Sequence, residues 1–591
     1  MFDKLSLYFH TIKYLKLSQV YYRVKKGLKK VFRDKDIDYP VTSEVKCNSG
    51  ISYIIEELAY DELFISRYNI DEILNNKLTF LNKSLLFSET LWKDANIPQL
   101  WRFNSHYFDF IIPLLKNYHK ERDMKYYHKT KYFILNWINA NVIWSGDGWH
   151  PYTISLRLVN WVYAYQIFEE VLIGDKDFRK ILLESIYLQY NYLLKNTEKD
   201  VLGNHYFENI KTIILVSMFF KNDYTLGKYS KEFYSQLDEQ ILNDGMHFER
   251  SFTYHKIILE DTLMIASWLR QHGKYYRNYL IDTIGKMANC LYSVEADLNV
   301  TPQFNDSGHN VGKSTSSILN TCIKYFGISP RFIESLVNSG YYIIKHENMK
   351  LIIDCGEISP AYLPAHGQCD ALSYELYKDG QPFIVNSGTY EYGNGKWRVF
   401  FRSTKAHNTV LIGDCEQAQC WGSFRIAKRS GGFNAAIAHK SFSGSFYNYK
   451  GYCHKRRIEW IDNNLLLIID TVGSESAKSY IHFHPEYAVT YEKGLFIIEK
   501  ENISVASIHY FNCAEQNCIF GDKNNGWYSP EYGLMYPRYT VELTAGKEKN
   551  YFGYVIQFGD TAKEAISITG NNNLLQIDFA SLNKQIDLRD F

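Results

Sequence analysis

The chain has 591 residues, 46% hydrophobic and 22% charged, and a net charge of +1. That length exceeds one hydrophobic core and implies two or three domains, while the balanced charge supplies no global field for nucleic acid. The 49 Tyr, 36 Phe and 11 Trp offer flat faces for sugar rings, but codon bias inflates Tyr and Phe too, so aromatic content alone names no ligand.

Residues 1–33 hold nine Lys/Arg and one acid, Asp3, and Val20, Val24, Leu28 and Val31 recur at helical spacing. Such a basic amphipathic helix suits contact with a membrane surface or an anionic polymer, or docking on the main body. The longest conspicuous apolar run, 213–220, is too short to span a bilayer. The N-terminus lacks an apolar stretch followed by a small-residue cleavage site, so it does not read as a secretory signal. Ten cysteines without a CxxC pair then point to reduced thiols and a cytoplasmic location.

Apolar residues at i, i+3, i+4 and i+7 predict helices over 100–118, 131–140, 154–172, 181–194, 205–221, 255–272 and 279–294. A long series of helices without strands implies a bundle or a ring of antiparallel pairs. From Tyr341 the period becomes two. Strands are expected at 341–345, 350–354, 373–377, 458–461, 465–470, 479–484, 495–499, 503–510 and 539–543, with short Gly/Asn/Asp turns between them, as in a large antiparallel sandwich. The chain therefore divides into a basic extension (1–70), a helical domain (71–335) and a β domain (336–591), with a ligand site expected at their junction.

Four loops of the helical half carry polar chemistry. They hold Arg102 and Tyr107; Trp149, Tyr152 and Arg157; Asn204, His205 and Glu208; and Glu249, Arg250, Tyr254 and His255. An Asn-His pair opening a helix directs donors and the dipole towards an anion. Cationic Arg250 and His255 beside Tyr254 would lower its phenol pKa towards that of a base. In the β half, residues 386–425 gather Tyr390, Arg402, His407 and Trp421 on expected strands and loops, just after His366 to Tyr374. A bidentate Arg402, a titratable His407 and flat rings suit an acidic, ring-shaped ligand. Taken singly, each helical loop is accounted for by capping and core hydrogen bonds, and the β stretch equally well by a structural polar network.

Gly203-Asn-His-Tyr-Phe-Glu-Asn, Asp244-Gly-Met-His-Phe-Glu-Arg-Ser-Phe-Thr-Tyr-His and Phe304-Asn-Asp-Ser resemble the helical half of the heparinase II/III family. His366-Gly-Gln-Cys-Asp-Ala-Leu-Ser-Tyr-Glu-Leu, Asn386-Ser-Gly-Thr-Tyr and Arg402-Ser-Thr-Lys-Ala-His-Asn-Thr-Val resemble its β half, in the same order. The resemblance implies an (α/α) toroid followed by an antiparallel β-sandwich, with an acidic polysaccharide or oligosaccharide bound between them. It implies a lyase that cleaves a uronate polysaccharide by β-elimination, in a setting such as bacterial capsule or exopolysaccharide metabolism, and a periplasmic location as the alternative to the cytoplasm. Asn204 or His205 would neutralise the uronate carboxylate with Glu208 in support, Tyr254 would serve as base and acid, and His366 would assist. The remaining polar and aromatic residues of these loops, Arg102, Tyr107, Trp149, Tyr152, Arg157, Glu249, Arg250, His255, Tyr390, Arg402, His407 and Trp421, are the expected substrate contacts.

One departure concerns metal. Some relatives hold a structural zinc through an imidazole and a carboxylate where this chain has Gln368 and Asn386, leaving only His407. Amide oxygens are poor zinc ligands, so no cofactor is expected and the two amides are expected to bond each other. Two rivals remain: a hydrolase using Glu208, Glu249 or Asp370 as paired carboxylates, and a non-catalytic polysaccharide-binding or assembly protein.

Overall fold

The computed structural model describes residues 2–31, 47, 48, 50–141, 145–473, 475–523, 525–546, 550–559, 566–571, 574–579 and 582–589. Residues 32–46 of the expected extension, including the end of its basic segment, lie outside the described residues.

Apolar stripes on both faces of the central helices make a double layer. Four of these helices, Pro151–Ile167, Gly203–Phe219, Phe252–His272 and Thr315–Phe326, pack side by side in succession, preceded by Gln99–Tyr107. Lys176–Lys195 backs Pro151–Ile167 and Gly203–Phe219, Asp223–Gln240 backs Gly203–Phe219, and Tyr279–Glu295 backs Phe252–His272 and Thr315–Phe326. This is the (α/α) toroid. The inner helices are buried almost all round, as Gly203–Phe219 shows with only His205 among its residues left partly open. Asp223–Gln240 adds a helix that the apolar spacing does not predict, because Thr225, Ser230, Gln236 and Gln240 interrupt its buried stripe. The expected 100–118 helix is two helices, Gln99–Tyr107 and Ile112–Glu121, broken where Phe108 adopts a left-handed backbone with φ 66°.

The expected 1–70 boundary needs correction. Ile51, Tyr53, Ile55, Leu58 and Phe64 belong to the toroid core, because Trp268 donates to the Tyr53 carbonyl at 2.8 Å and Asp61 accepts from Ser317 at 2.6 Å. Among the described residues, the helices Phe2–Ile12 and Leu17–Val31 precede that core.

The β half stacks antiparallel sheets. A five-stranded sheet, Ser335–Leu336, Tyr341–His346, Met349–Asp354, Tyr374–Lys378 and Gln381–Ile384, faces an eight-stranded sheet that contains Cys453–Asp462, Leu465–Val472 and Tyr551–Phe558. Leu351, Ile353 and Leu376 meet Ile458, Leu466 and Ile468 in the core between them. The other face of the eight-stranded sheet is covered through Leu467 and Ile469 by a three-stranded sheet that includes Leu574–Phe579. Covering on both faces explains why 465–469 is a continuous apolar run rather than an alternation. The reverse face of the five-stranded sheet packs on the toroid, with Ile343 and Ile352 against Met246, Phe252 and Val294. This apolar seam fixes the two halves and sets loops from each along one cleft.

Candidate active site

The cleft between the halves has a volume of about 890 Å³ and is lined by Tyr107, His150, Tyr152, Asn204, His205, Glu249 and Tyr254 of the toroid. The β half contributes His366, Tyr390, Tyr392, Arg425 and Tyr532. Tyr152, Asn204, His205 and Tyr254 all sit in the first turn of an inner helix, so helix N-termini supply the site. Helix starts of this kind favour anions. His150 caps one helix through Nδ1, and Ser251 caps another by accepting from the Tyr254 amide at 3.4 Å.

Gly203 shows how tightly the site is built. Its φ is +59°, and a Cβ there would lie 2.2 Å from Leu363 and 2.5 Å from the Glu249 carboxylate. The Asn204 backbone and side-chain amides both donate to Glu249, at 3.0–3.1 Å. Asn204 therefore orients Glu249, and Glu249 in turn lies 3.3 Å from His366 Nε2.

His205 is held differently. Its Nδ1 lies 2.9 Å from buried Glu198, and its ring lies against Tyr152 at 4.3 Å. Burial alone would strip its proton, but the Glu198 carboxylate outweighs burial and raises the imidazole pKa. The reciprocal effect holds Glu198 below the usual carboxylate range despite its burial. Nε2 has no hydrogen-bond partner among the described residues, so His205 keeps one N–H free for an anion.

Tyr254 and His366 meet across the interface with ring centroids 3.9 Å apart. His366 Nδ1 lies 3.1 Å from Asp306, and Arg398 donates to both oxygens of Asp306 at 2.6 and 2.7 Å. Burial would raise the Asp306 pKa; Arg398 and His366 together hold it well below the carboxylate range instead. The Tyr254 hydroxyl shares a hydrogen bond of 3.0 Å with Tyr392, which is bonded onward to Tyr532. Burial pushes the Tyr254 phenol well above its ordinary pKa, with negative neighbours adding to it. The expected lowering by Arg250 and His255 does not occur. Arg250 turns away to the Glu357 carbonyl at 2.8 Å, and His255 is buried against the Met287 carbonyl, its pKa pushed down to about 3 by burial.

The Heparinase II/III N-terminus family model matches residues 19–332, and the Heparinase II/III-like, C-terminal model matches residues 329–569. The chain belongs to the heparinase II/III family. A heparin-sulfate lyase of Bacteroides stercoris is 22% identical over 77% of this chain and 74% of its own length. One of Bacteroides thetaiotaomicron is 22% identical over 64% of this chain, which spans only 60% of that relative. Among solved structures, a heparinase III has a TM-score of 0.70 at 16% identity, covering 96% of both chains. A heparan sulfate lyase from Pedobacter heparinus has a TM-score of 0.58 at 17% identity, covering 96% of this chain and 94% of its own.

The zinc site of some heparinase II/III proteins does not fit here. Gln368 Oε1 lies 2.8 Å from His407 Nε2, while its Nε2 donates to Asp306 at 2.8 Å. Asn386 Oδ1 accepts from Ser373 and Asn408. The two amides thus bond other residues rather than each other, which corrects that expectation. Burial drives the His407 pKa down to about 3, and no cluster of three or more His, Cys, Asp or Glu is gathered for a metal among the described residues.

Several expected contacts of this heparinase II/III chain lie elsewhere. Arg157 is fully buried, donating to Gln189 and to the His106 and Gly148 carbonyls, and Trp149 packs beside Trp137 in the toroid core. Arg102 pairs with Asp147 at 2.7 Å, outside the cleft lining. Arg402 donates to the carbonyls of Gly367, Gly422 and Ser423, so its fork ties loops together, and His407 is buried between the Ser403 carbonyl and Gln368. Residues 396–401 form a short helix rather than a strand, which is how Arg398 reaches Asp306. Trp421 donates to Thr11 at 3.0 Å and anchors the N-terminal helix. Glu208 touches neither Asn204 nor His205 and adds only at a distance to the raised His205 pKa; it pairs with Lys211 at 2.6 Å beside an adjoining cavity of about 310 Å³ that shares Tyr107, Tyr152 and Tyr254 with the cleft.

The search by residue type passed over His150, Tyr392, Tyr532, Asp306 and Arg398. Phe304-Asn-Asp-Ser was the visible signal for Asp306 and the 386–425 stretch that for Tyr392 and Arg398; nothing local marks Tyr532, which reaches the cleft from a loop distant in the chain.

Proposed function

We propose that this chain is a polysaccharide lyase that cleaves a uronate-containing acidic polysaccharide by β-elimination. The observation that carries the reading is the composite site, in which a proton-holding His205 and the Tyr254–His366 pair face one cleft from both halves of the molecule. Heparin-sulfate lyases among its relatives make a glycosaminoglycan the first substrate to try.

The uronate carboxylate docks on His205 Nε2–H, with Glu198 behind the ring keeping the imidazole cationic. Neutralising that carboxylate acidifies the adjacent C5–H. Asn204 is the weaker candidate for this task, since its amide is engaged by Glu249. Tyr254 starts with its proton in place. Before taking the C5 proton the phenol passes its own proton along its hydrogen bond to Tyr392 and on through Tyr532 to solvent in the cleft that both tyrosines line, while the His366 ring packs against it. The C5 electron pair then forms the C4–C5 double bond as the C4–O4 bond breaks, and the Tyr254 phenol returns a proton to the departing O4. Arg23, Lys83 and Arg425 along the cleft supply cationic contacts to flanking acidic sugars.

A paired-carboxylate hydrolase is disfavoured by position. Glu249 is bound by Asn204 and His366 in the cleft, Glu208 is buried in an ion pair with Lys211, and Asp370 accepts the Asn305 amide in the buried interior. The test is to incubate the purified chain with a panel of uronate polysaccharides, heparan sulfate among them, and follow ultraviolet absorbance. A lyase product carries an unsaturated uronate and absorbs. Chain shortening without that absorbance overturns the reading.

A further inference from the structure

We infer that the two N-terminal helices form a docking face for an anionic lipid surface. The inference goes beyond the lyase reading and does not rest on it. In a soluble protein the apolar stripe of an amphipathic helix faces the core and the polar face meets water. Leu17–Val31 is mounted the other way round. It docks through polar groups: Lys16 pairs with Glu239 at 2.6 Å, buried Gln19 donates to the Val201 carbonyl, and Lys26 pairs with Asp200 at 2.8 Å. Its apolar residues point outward, with Leu17 88%, Tyr21 60%, Val24 57% and Leu28 54% exposed.

Phe2–Ile12 repeats the pattern. Leu5, Phe9 and Ile12, at i, i+4 and i+7, are all exposed, while Thr11 accepts from Trp421 and the Tyr8 ring packs edge-on against the same indole at 4.9 Å. Both stripes are bordered by exposed lysines, Lys4 on the first helix and Lys13 in the turn just after it, and Lys25 on the second. Apolar side chains that enter the headgroup boundary, flanked by lysines that meet anionic headgroups, are the two requirements for interfacial binding. An acidic polymer would use the lysines but leave the apolar stripes in water, and a second basic copy of this segment would set like charges together. A lipid surface satisfies both features. Because Thr11 and Arg23 of these helices also line the cleft, docking would hold the cleft close to the membrane plane.

The test is flotation of the full chain with phosphatidylcholine vesicles, with and without phosphatidylglycerol, in low and high salt. We expect association with the phosphatidylglycerol vesicles that weakens with salt. The combined Phe9→Ser, Leu17→Ser, Val24→Ser and Leu28→Ser variant should bind about tenfold or more weakly with an unchanged melting temperature, since these side chains are exposed in the fold. A Lys13→Glu, Lys25→Glu variant should lose the preference for phosphatidylglycerol. The proposal is overturned if the wild-type chain stays with the soluble fraction under all conditions, or if the apolar variant floats as well as wild type. It is equally overturned if light scattering shows a wild-type dimer that the apolar variant dissolves while no vesicle is bound.

Discussion

Tyr254 and His366 lie with ring centroids 3.9 Å apart, although 112 positions separate them in the chain and they come from different domains. The contact joins the first turn of a toroid helix to a loop between two β-strands. It exists because the seam of Phe252 and Val294 on Ile343 and Ile352 locks the halves together just beneath it.

Tyr254→Phe deletes one hydroxyl that bonds Tyr392. Loss of a positioned acid/base group should lower kcat by ~10²–10⁴, while a lost hydrogen bond should cost only about 1 kcal/mol of stability. Steady-state kinetics beside thermal melting separates the two. Retention of more than about a third of wild-type turnover would falsify the role given to Tyr254.

His205 sets an alkaline limit. Its folded pKa is raised through Glu198, so the cationic form is present at low pH and is lost as pH rises through that raised value. Activity that needs the cation should decline over the same range. Glu198→Gln removes the carboxylate, lowers the His205 pKa and moves the alkaline limb of the kcat/KM profile to lower pH. An unmoved limb would assign the neutralising role to another group.

Arg398 should be required for folding rather than for chemistry. It and Asp306 are both buried, and Arg398→Ala leaves a buried carboxylate without its bidentate partner. Breaking a buried pair from one side costs about 3–5 kcal/mol. Denaturant unfolding should show a loss of that size, and a change under about 1 kcal/mol would mean that His366 and Gln368 suffice to satisfy Asp306.

Gln368 and Asn386 set an expectation for metal. Protein purified without added metal should contain well under one zinc per chain by elemental analysis, and EDTA should leave its melting temperature unchanged. Stoichiometric zinc that is lost in a Gln368→Ala variant would contradict the donor argument.

Much of the architecture was readable along the chain, because period 3.6 and period 2 report which faces are buried and both are local properties. The change of period at Tyr341 marks the domain junction, and the expected strands at 341–345, 465–470 and 503–510 match the observed Tyr341–His346, Leu465–Val472 and Ile503–Phe511. Motif order alone was enough to point to the heparinase II/III family. Side-chain assignments within the motifs were a different matter. Arg402, Arg157 and His407 have the chemistry of ligand-binding groups, but each spends its donors on buried carbonyl or amide oxygens supplied by distant segments. Tyr254 carries two cationic neighbours in sequence, yet the helix it begins turns Arg250 towards Glu357 and buries His255, and burial then raises the phenol pKa instead of lowering it. A residue type states what a group is able to donate or accept; desolvation and partner choice are set by segments that meet only in the folded chain, and these decide whether the group faces a substrate or its own protein.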